Sequence, residues 1–301
     1  MYSHKIKLIF AMRYSNFNGG GKYLDPKADL TFKLVFGEHP DLVMSLLNSL
    51  LPLEPDEMIT DVEYLSNEMV PDNPGKKNSI VDVRCTDSLG RQFIVEMQLY
   101  WNPWFRQRVL LNASKAVIKQ LDQHENYSLI QPVYCLSLIN DIGFKSGPDE
   151  FYHDYAVVNT LHPERRIDGL RFVFVELPKF KPKTIAEKKM AVLWLRFLTE
   201  IGGDTTEAPA ELLENELTNK ALGIVEKSAM NEAQMNAYNS FWLAIHDEEA
   251  NLEGQYIKGR EEGREQEKMS TARKMKEKGF PSAVIADITG LPLKTIDDIS
   301  L

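Results

Sequence analysis

The sequence predicts an α/β fold, a mixed sheet flanked by helices and followed by a helical C-terminal region. Two observations carry that prediction: six segments have the period-two alternation or β-rich composition of strands, and helical periodicity lies before, between and after them. From Asp29 to about Leu51, Phe32, Val35, Phe36, Val43, Leu46, Leu47 and Leu50 share one apolar face, with a break at His39-Pro40 where proline starts a second helix. Met58 to Val70 and Asn78 to Cys85 read as strands around the turn-rich loop Pro71 to Lys77. Gln92 to Tyr100 is a third strand, Asn102-Pro103 opens a helix from about Trp104 to His124, and Val133 to Ile139, Tyr152 to Thr160 and Arg171 to Glu176 return to strand patterning. The order α-β-β-β-α-β fits a mixed sheet.

Past Pro178 the alternation stops. Thr184 to Ile201 and Ala208 to about Glu267 are rich in helix formers. Gly254, Gly259 and Gly263 interrupt the charged run Gln255 to Glu267, which lacks apolar a and d positions and reads as a solvated helix or linker rather than a coiled coil. A small helix pair is expected at the end, with Ser282 as N-cap, Gly290 as stop and Leu291-Pro-Leu293 starting the final turn. The expected organisation is a flexible extension over 1–22, an α/β domain over 23–200, a helical extension over 201–267 and the helix pair over 268–301.

At 301 residues and 34.4 kDa the chain can bury one substantial core plus an accessory helical region. A hydrophobic content of 43% with 26% charged residues is that of an ordinary soluble protein. No segment reads as spanning a membrane, and the apolar run Leu8 to Met12 is too short for a signal-peptide core. Cys85 and Cys135 both fall inside strand segments and read as buried thiols, so a reducing cytoplasmic setting is expected. Either Met1 or Met12 serves as a start in this reading. The net charge of −9 opposes simple phosphate binding. Its distribution softens the objection: residues 1–130 carry 14 Lys/Arg against 16 Asp/Glu, and residues 131–301 carry 21 against 28. Moreover, Trp101 to Gln120 holds Arg106, Arg108, Lys115 and Lys119 with no acid at all.

The chemistry centres on Asp82, Glu96 and Gln98. In an extended chain alternate side chains share a face, so Ile80, Asp82 and Arg84 are expected opposite Val81, Val83 and Cys85. Likewise Phe93, Val95, Met97 and Leu99 form an apolar face, with Ile94, Glu96, Gln98 and Tyr100 on the other. Thr86 to Arg91 has the composition of a tight reversal, with Gly90 free to take positive φ. Pairing the two strands sets Asp82 near Glu96. Two carboxylates held at the rim of an apolar sheet repel unless a cation sits between them.

This arrangement resembles the core of the PD-(D/E)XK nuclease superfamily, in a Glu-x-Gln variant where glutamine replaces the usual lysine. The segments Asp29 to Gly37, Phe105 to Lys115, Gln131 to Leu136, Phe172 to Phe180 and Trp194 to Leu198 further resemble the recombination-promoting nuclease and putative transposase (Rpn) family over roughly residues 24–300. The resemblance implies a restriction-endonuclease-like α/β core and a cytoplasmic Mg²⁺-dependent DNA endonuclease linked to recombination or mobile DNA, with Mn²⁺ as a substitute ion. It implies Asp82, Glu96 and the Met97 carbonyl as metal ligands, and it favours Arg108 among the DNA-contact candidates Arg106, Arg108, Lys115 and Lys119. Gln98 carries no charge and donates no proton readily, so its expected role is to orient the attacking water.

Asp29, Phe32, Lys33 and Phe36 fall on one helical stripe. Asp29 either caps its helix or approaches the metal, and Lys33 either contacts phosphate or extends to solvent. Asn112 departs from the family pattern, since many relatives carry an aromatic residue there. A rival reading is a catalytically silent nuclease-fold protein that binds a homodimer mate or a regulatory partner through its C-terminal helices; an enzyme acting on RNA is a third. Other motifs fall away. Gly19-Gly-Gly-Lys22 lacks the residues and spacing of a phosphate loop, the six histidines make no ligand spacing, and no Gly-x-Ser-x-Gly elbow is present. Phe280 to Ile299 resembles a helix-turn-helix only faintly, with Asp297 and Asp298 at the would-be recognition helix, so protein contact is the expected use.

Overall fold

The computed structural model describes residues 20–68, 79–182 and 189–300. The chain divides into two compact units, Met1–Phe241 and Trp242–Leu301. In the first, helices α1 (Asp29–Phe36) and α2 (Pro40–Leu50) are separated at His39-Pro40 as the proline requires, with Pro40 in the first helical turn. Strands β1 (Glu63–Tyr64), β2 (Val83–Thr86) and β3 (Gln92–Gln98) follow, then α3 (Phe105–Ile118), β4 (Val133–Ile139), β5 (Tyr152–Asn159) and β6 (His162–Glu176). The six strands lie in the order β1-β2-β3-β4-β6-β5. The central pairs β3/β4 and β4/β6 are parallel, and the outer pairs are antiparallel. This is the mixed sheet the alternation predicts.

Helices cover the two faces unequally. Val83, Cys85, Phe93, Val95, Leu136, Leu138, Val173 and Val175 face the larger core, which α1, α2, α4 (Met190–Glu200), α5 (Ala210–Glu214) and α6 (Glu216–Ile224) complete. Opposite, Ile94, Cys135, Ile139 and Phe174 pack under α3 alone, through Phe105, Val109, Ala113 and Ala116. Both cysteines are free and buried, and burial pushes the Cys85 thiol up to about 12, leaving it unreactive.

Four local features depart from the sequence expectation. Among the described residues of Met58 to Val70 only Glu63 and Tyr64 form a strand; at Ile59 the Asn48 side chain takes both the N–H and the carbonyl, each at 2.8 Å, in place of a strand neighbour. β6 extends nine residues further toward the N-terminus than its apolar end, with the exposed run His162 to Asp168 paired to β5 at Val158↔Arg166 and Asn159↔His162, where the Asn159 side chain also accepts from the His162 N–H at 3.1 Å. The face alternation breaks at Asp82: Val81 packs under α3 rather than with Val83 and Cys85, Ile80 is exposed, and β2 begins only at Val83. The loop expected at Pro71 to Lys77 lies outside the described residues.

Helix α7 (Glu232–Glu277) starts before the second unit and within it continues through Gly254, Gly259 and Gly263 instead of breaking. A mid-helix glycine costs about 1 kcal/mol against alanine. Surrounding Glu, Lys, Arg and Gln residues, including the i,i+4 pair Lys258–Glu262 and the i,i+3 pair Glu265–Lys268, offset part of that cost. Ala272 and Met275 then pack on Ile285, Leu291, Ile296 and Ile299 of α8 (Ser282–Thr289), α9 (Leu293–Asp297) and their connections. Gly290 stops α8 at φ 67°. The cap differs from expectation: Pro281 holds the N-cap position, and the Ser282 hydroxyl donates instead to Asp297 at 2.8 Å, tying α8 to α9. Among the described residues no helix is long and apolar enough to cross a membrane.

Candidate active site at the rim of the sheet

The hairpin β2–β3 delivers the acids. Its reversal is built by Asp87, whose carboxylate accepts from the N–H groups of Leu89 and Arg91 and from the Arg91 guanidinium at 2.6 Å, while Gly90 takes φ 79°. The resulting register sets Val83 opposite Val95, and one further step puts Asp82 across from Glu96. There a side chain replaces a ladder carbonyl: the Met97 N–H donates to Asp82 Oδ2 at 2.6 Å. Asn67 holds the Asp82 backbone carbonyl at 2.9 Å, so both parts of this residue are fixed.

Burial, the largest influence, pushes the Asp82 carboxyl up to about 6. The Met97 N–H opposes this, the charges of Glu96 and Asp29 add to it, and Lys33 relieves it slightly. Asp82 therefore feels three of the residues that sequence reasoning gathered. Asp29 and Lys33 meet in an i,i+4 ion pair at 2.7 Å on α1. Ala28, not Asp29, holds the N-cap position of that helix, so Asp29 does not cap; it sits in the first turn, where a negative charge favours the dipole.

Glu96 is 5% exposed on the α3 side of the sheet. One oxygen, Oε1, accepts from Asn112 Nδ2 at 2.8 Å, and the other, Oε2, accepts from Arg108 at 3.2 Å. The same Arg108 nitrogen donates to Gln98 Oε1 at 2.6 Å, and Gln98 Nε2 reaches the Tyr100 carbonyl at 2.6 Å. Gln98 thus turns its oxygen toward the arginine. Of the four basic candidates on and after α3, Arg108 reaches Glu96. Arg106 lies over the Phe144 ring, Lys115 donates to Ser79 at 2.8 Å, and Lys119 is exposed at the helix end.

Asn112 is the residue whose role the sequence did not give. It is 1% exposed, one turn beyond Arg108, and its Oδ1 has no hydrogen-bond partner among the described residues. An orphaned buried amide oxygen costs about 1–3 kcal/mol. The signal was present in the i,i+4 spacing of Arg108 and Asn112 on a helix that follows an acid-bearing strand.

Among the described residues no group of three or more His, Cys, Asp or Glu side chains converges as a metal cage. The donor chemistry nonetheless fits Mg²⁺, which accepts one or two carboxylates and keeps several waters. Asp82 and Glu96 supply hard oxygens, and Asp82 carries an unrelieved charge penalty that a divalent cation would remove.

A mixed sheet that carries one acid just before β2 and a second on β3, the second covered by a helix without acids, fits an α/β protein of the PD-(D/E)XK type. The family model of the PD-(D/E)XK nuclease family transposases matches residues 26–255, and the chain belongs to that family. No curated protein and no solved structure matches it.

Proposed function

We propose that this protein is a divalent-metal-dependent DNA endonuclease, of the kind that serves recombination or mobile DNA, working at the Asp82–Glu96 rim. The observation that carries the reading is Asp82, its carboxyl held by the Met97 N–H and its backbone carbonyl by Asn67, with that carboxyl raised to about 6 by burial and by the charge of Glu96. An acid serving only the fold would be neutralised by its neighbours; Glu96 has Arg108, whereas Asp82 is relieved only by the Met97 N–H and, more weakly, by Lys33. Asp82 and Glu96 would hold the cation. When bound, Mg²⁺ supplies Lewis acidity toward phosphate and makes water more acidic. Gln98 orients water through its amide, while Arg108, half-exposed beside Gln98, meets the phosphate. Asp29 and Lys33 tune the charge around Asp82 from α1. The acid-free surface of α3, with Arg106, Lys115 and Lys119, supports DNA as the partner despite the acidic chain.

The test is nicking or linearisation of supercoiled plasmid by purified protein with Mg²⁺, Mn²⁺ or chelator, with an RNA substrate in parallel. Cleavage is expected only with metal, and Asp82→Ala or Glu96→Ala is expected to lower it more than about a hundredfold while the far-UV spectrum is unchanged. Full activity in chelator, or in both variants, refutes the assignment.

A further inference from the structure

The two oxygens of Glu96 are held in different ways, and the difference assigns roles to Arg108 and Asn112. The Asn112 contact is short, buried and made by a residue whose own oxygen is left without a partner. Phe105, Val109, Ala113 and Ala116 surround that helix face, so an apolar side chain would suit the packing better than an amide. By contrast, the Arg108 contact is long, 3.2 Å, and made by a side chain 48% exposed. It uses one guanidinium nitrogen for both Glu96 and Gln98, not the two-pronged fork that makes arginine–carboxylate pairs strong. The guanidinium also lies 4.9 Å from the centre of the Phe105 ring, so it has a second seat when it releases the carboxylate.

Resting on the nuclease reading above, we propose that Arg108 is an internal counter-ion that competes with the divalent cation for Glu96 Oε2, and that Asn112 is a positioning residue that pins Oε1 so the exchange occurs at a single oxygen. The carboxylate is buried, and a buried charge is costly unless an opposite charge accompanies it. Arg108 supplies the first positive charge and the cation replaces it. Once displaced, the guanidinium remains over Phe105 and on Gln98, at the rim where a phosphate arrives. Metal binding and exposure of a phosphate-binding arginine thereby become one event.

Calorimetric titration of the full chain with Mn²⁺ tests this apart from catalysis. Arg108→Ala is expected to bind Mn²⁺ about threefold to fivefold more tightly, the scale of a half-exposed ion pair, while plasmid cleavage falls. Arg108→Gln, which keeps the stem over Phe105, is expected to tighten binding in the same direction. Asn112→Leu is expected to weaken Mn²⁺ about tenfold, as loss of an outer partner of a metal ligand does, with a melting temperature equal to or above that of the native chain. Unchanged or weaker Mn²⁺ binding in both Arg108 variants overturns the competition, and unchanged binding in Asn112→Leu overturns the positioning role. No Mn²⁺ binding by the native chain sinks the nuclease reading itself, so the two failures are distinguishable.

Discussion

Two buried acids in one sheet meet opposite fates. Glu176, at the end of β6, is fully buried, and burial is the largest influence on it, tending to raise its pKa. Four donors outweigh that. Lys179 at 2.6 Å, His153 at 2.9 Å and the N–H groups of Gly143 and Phe144 at 2.7 and 3.0 Å together hold the carboxyl below the usual range. Asp82 receives one side-chain-directed N–H, faces Glu96 and Asp29, and is pushed up to about 6. The first acid is solved within the fold. The second is left with a need that the fold does not meet, and such unmet need is where a cation or substrate finds its binding energy.

The largest expected effect strikes the satisfied acid. Glu176→Gln leaves Lys179 buried without its counter-charge and is expected to cost about 3–5 kcal/mol in urea unfolding at pH 7, while leaving metal binding at Asp82 intact. Because the folded carboxyl titrates low, the native chain keeps this contribution above about pH 4.5 and loses it as pH falls through the folded value. A cost under about 1 kcal/mol would erase the contrast.

A smaller effect of opposite sign is expected at the other acid. The folded pKa of Asp82 is raised, so its penalty is absent below about pH 4 and complete above about pH 6. Asp82→Asn is therefore expected to stabilise the chain in chelator by on the order of 2 kcal/mol at pH 8 and by nothing at pH 4, read from denaturant midpoints at both pH values. Equal effects at the two would show that its charge is not what the fold resists. The smallest change is expected from Lys33→Ala. Lys33 relieves Asp82 but is half-exposed and paired to Asp29, so removal should raise the Asp82 titration midpoint by only about a few tenths of a unit, followed by carboxyl NMR.

How far the sequence alone reached can be judged from particular elements. Val133–Ile139 is a strand over the expected residues, because a central parallel strand is apolar on both faces and its run has sharp ends. The start of the expected first strand was lost because the Asn48 side chain, eleven residues away in the sequence, takes both backbone groups of Ile59. β6 grew because pairing along a hairpin needs no apolar residues when both faces meet water. At the candidate site, the approach of Asp82 to Glu96 across the hairpin was legible from spacing. Asn112 was visible as a departure from pattern and as an i,i+4 neighbour of Arg108, but nothing local says that its amide meets a carboxylate sixteen residues earlier.

The sequence by itself determined the alternation of faces along β3, the helix break at Pro40, the reversal at Gly90 and the membership in a nuclease family, because each is written in neighbouring residues or in an ordered set of segments. Tertiary structure alone decided which charges are neutralised. Whether a buried carboxylate finds four donors, as Glu176 does, or one, as Asp82 does, depends on groups brought together from distant parts of the chain, and electrostatic energy is set by those distances and by how much water remains.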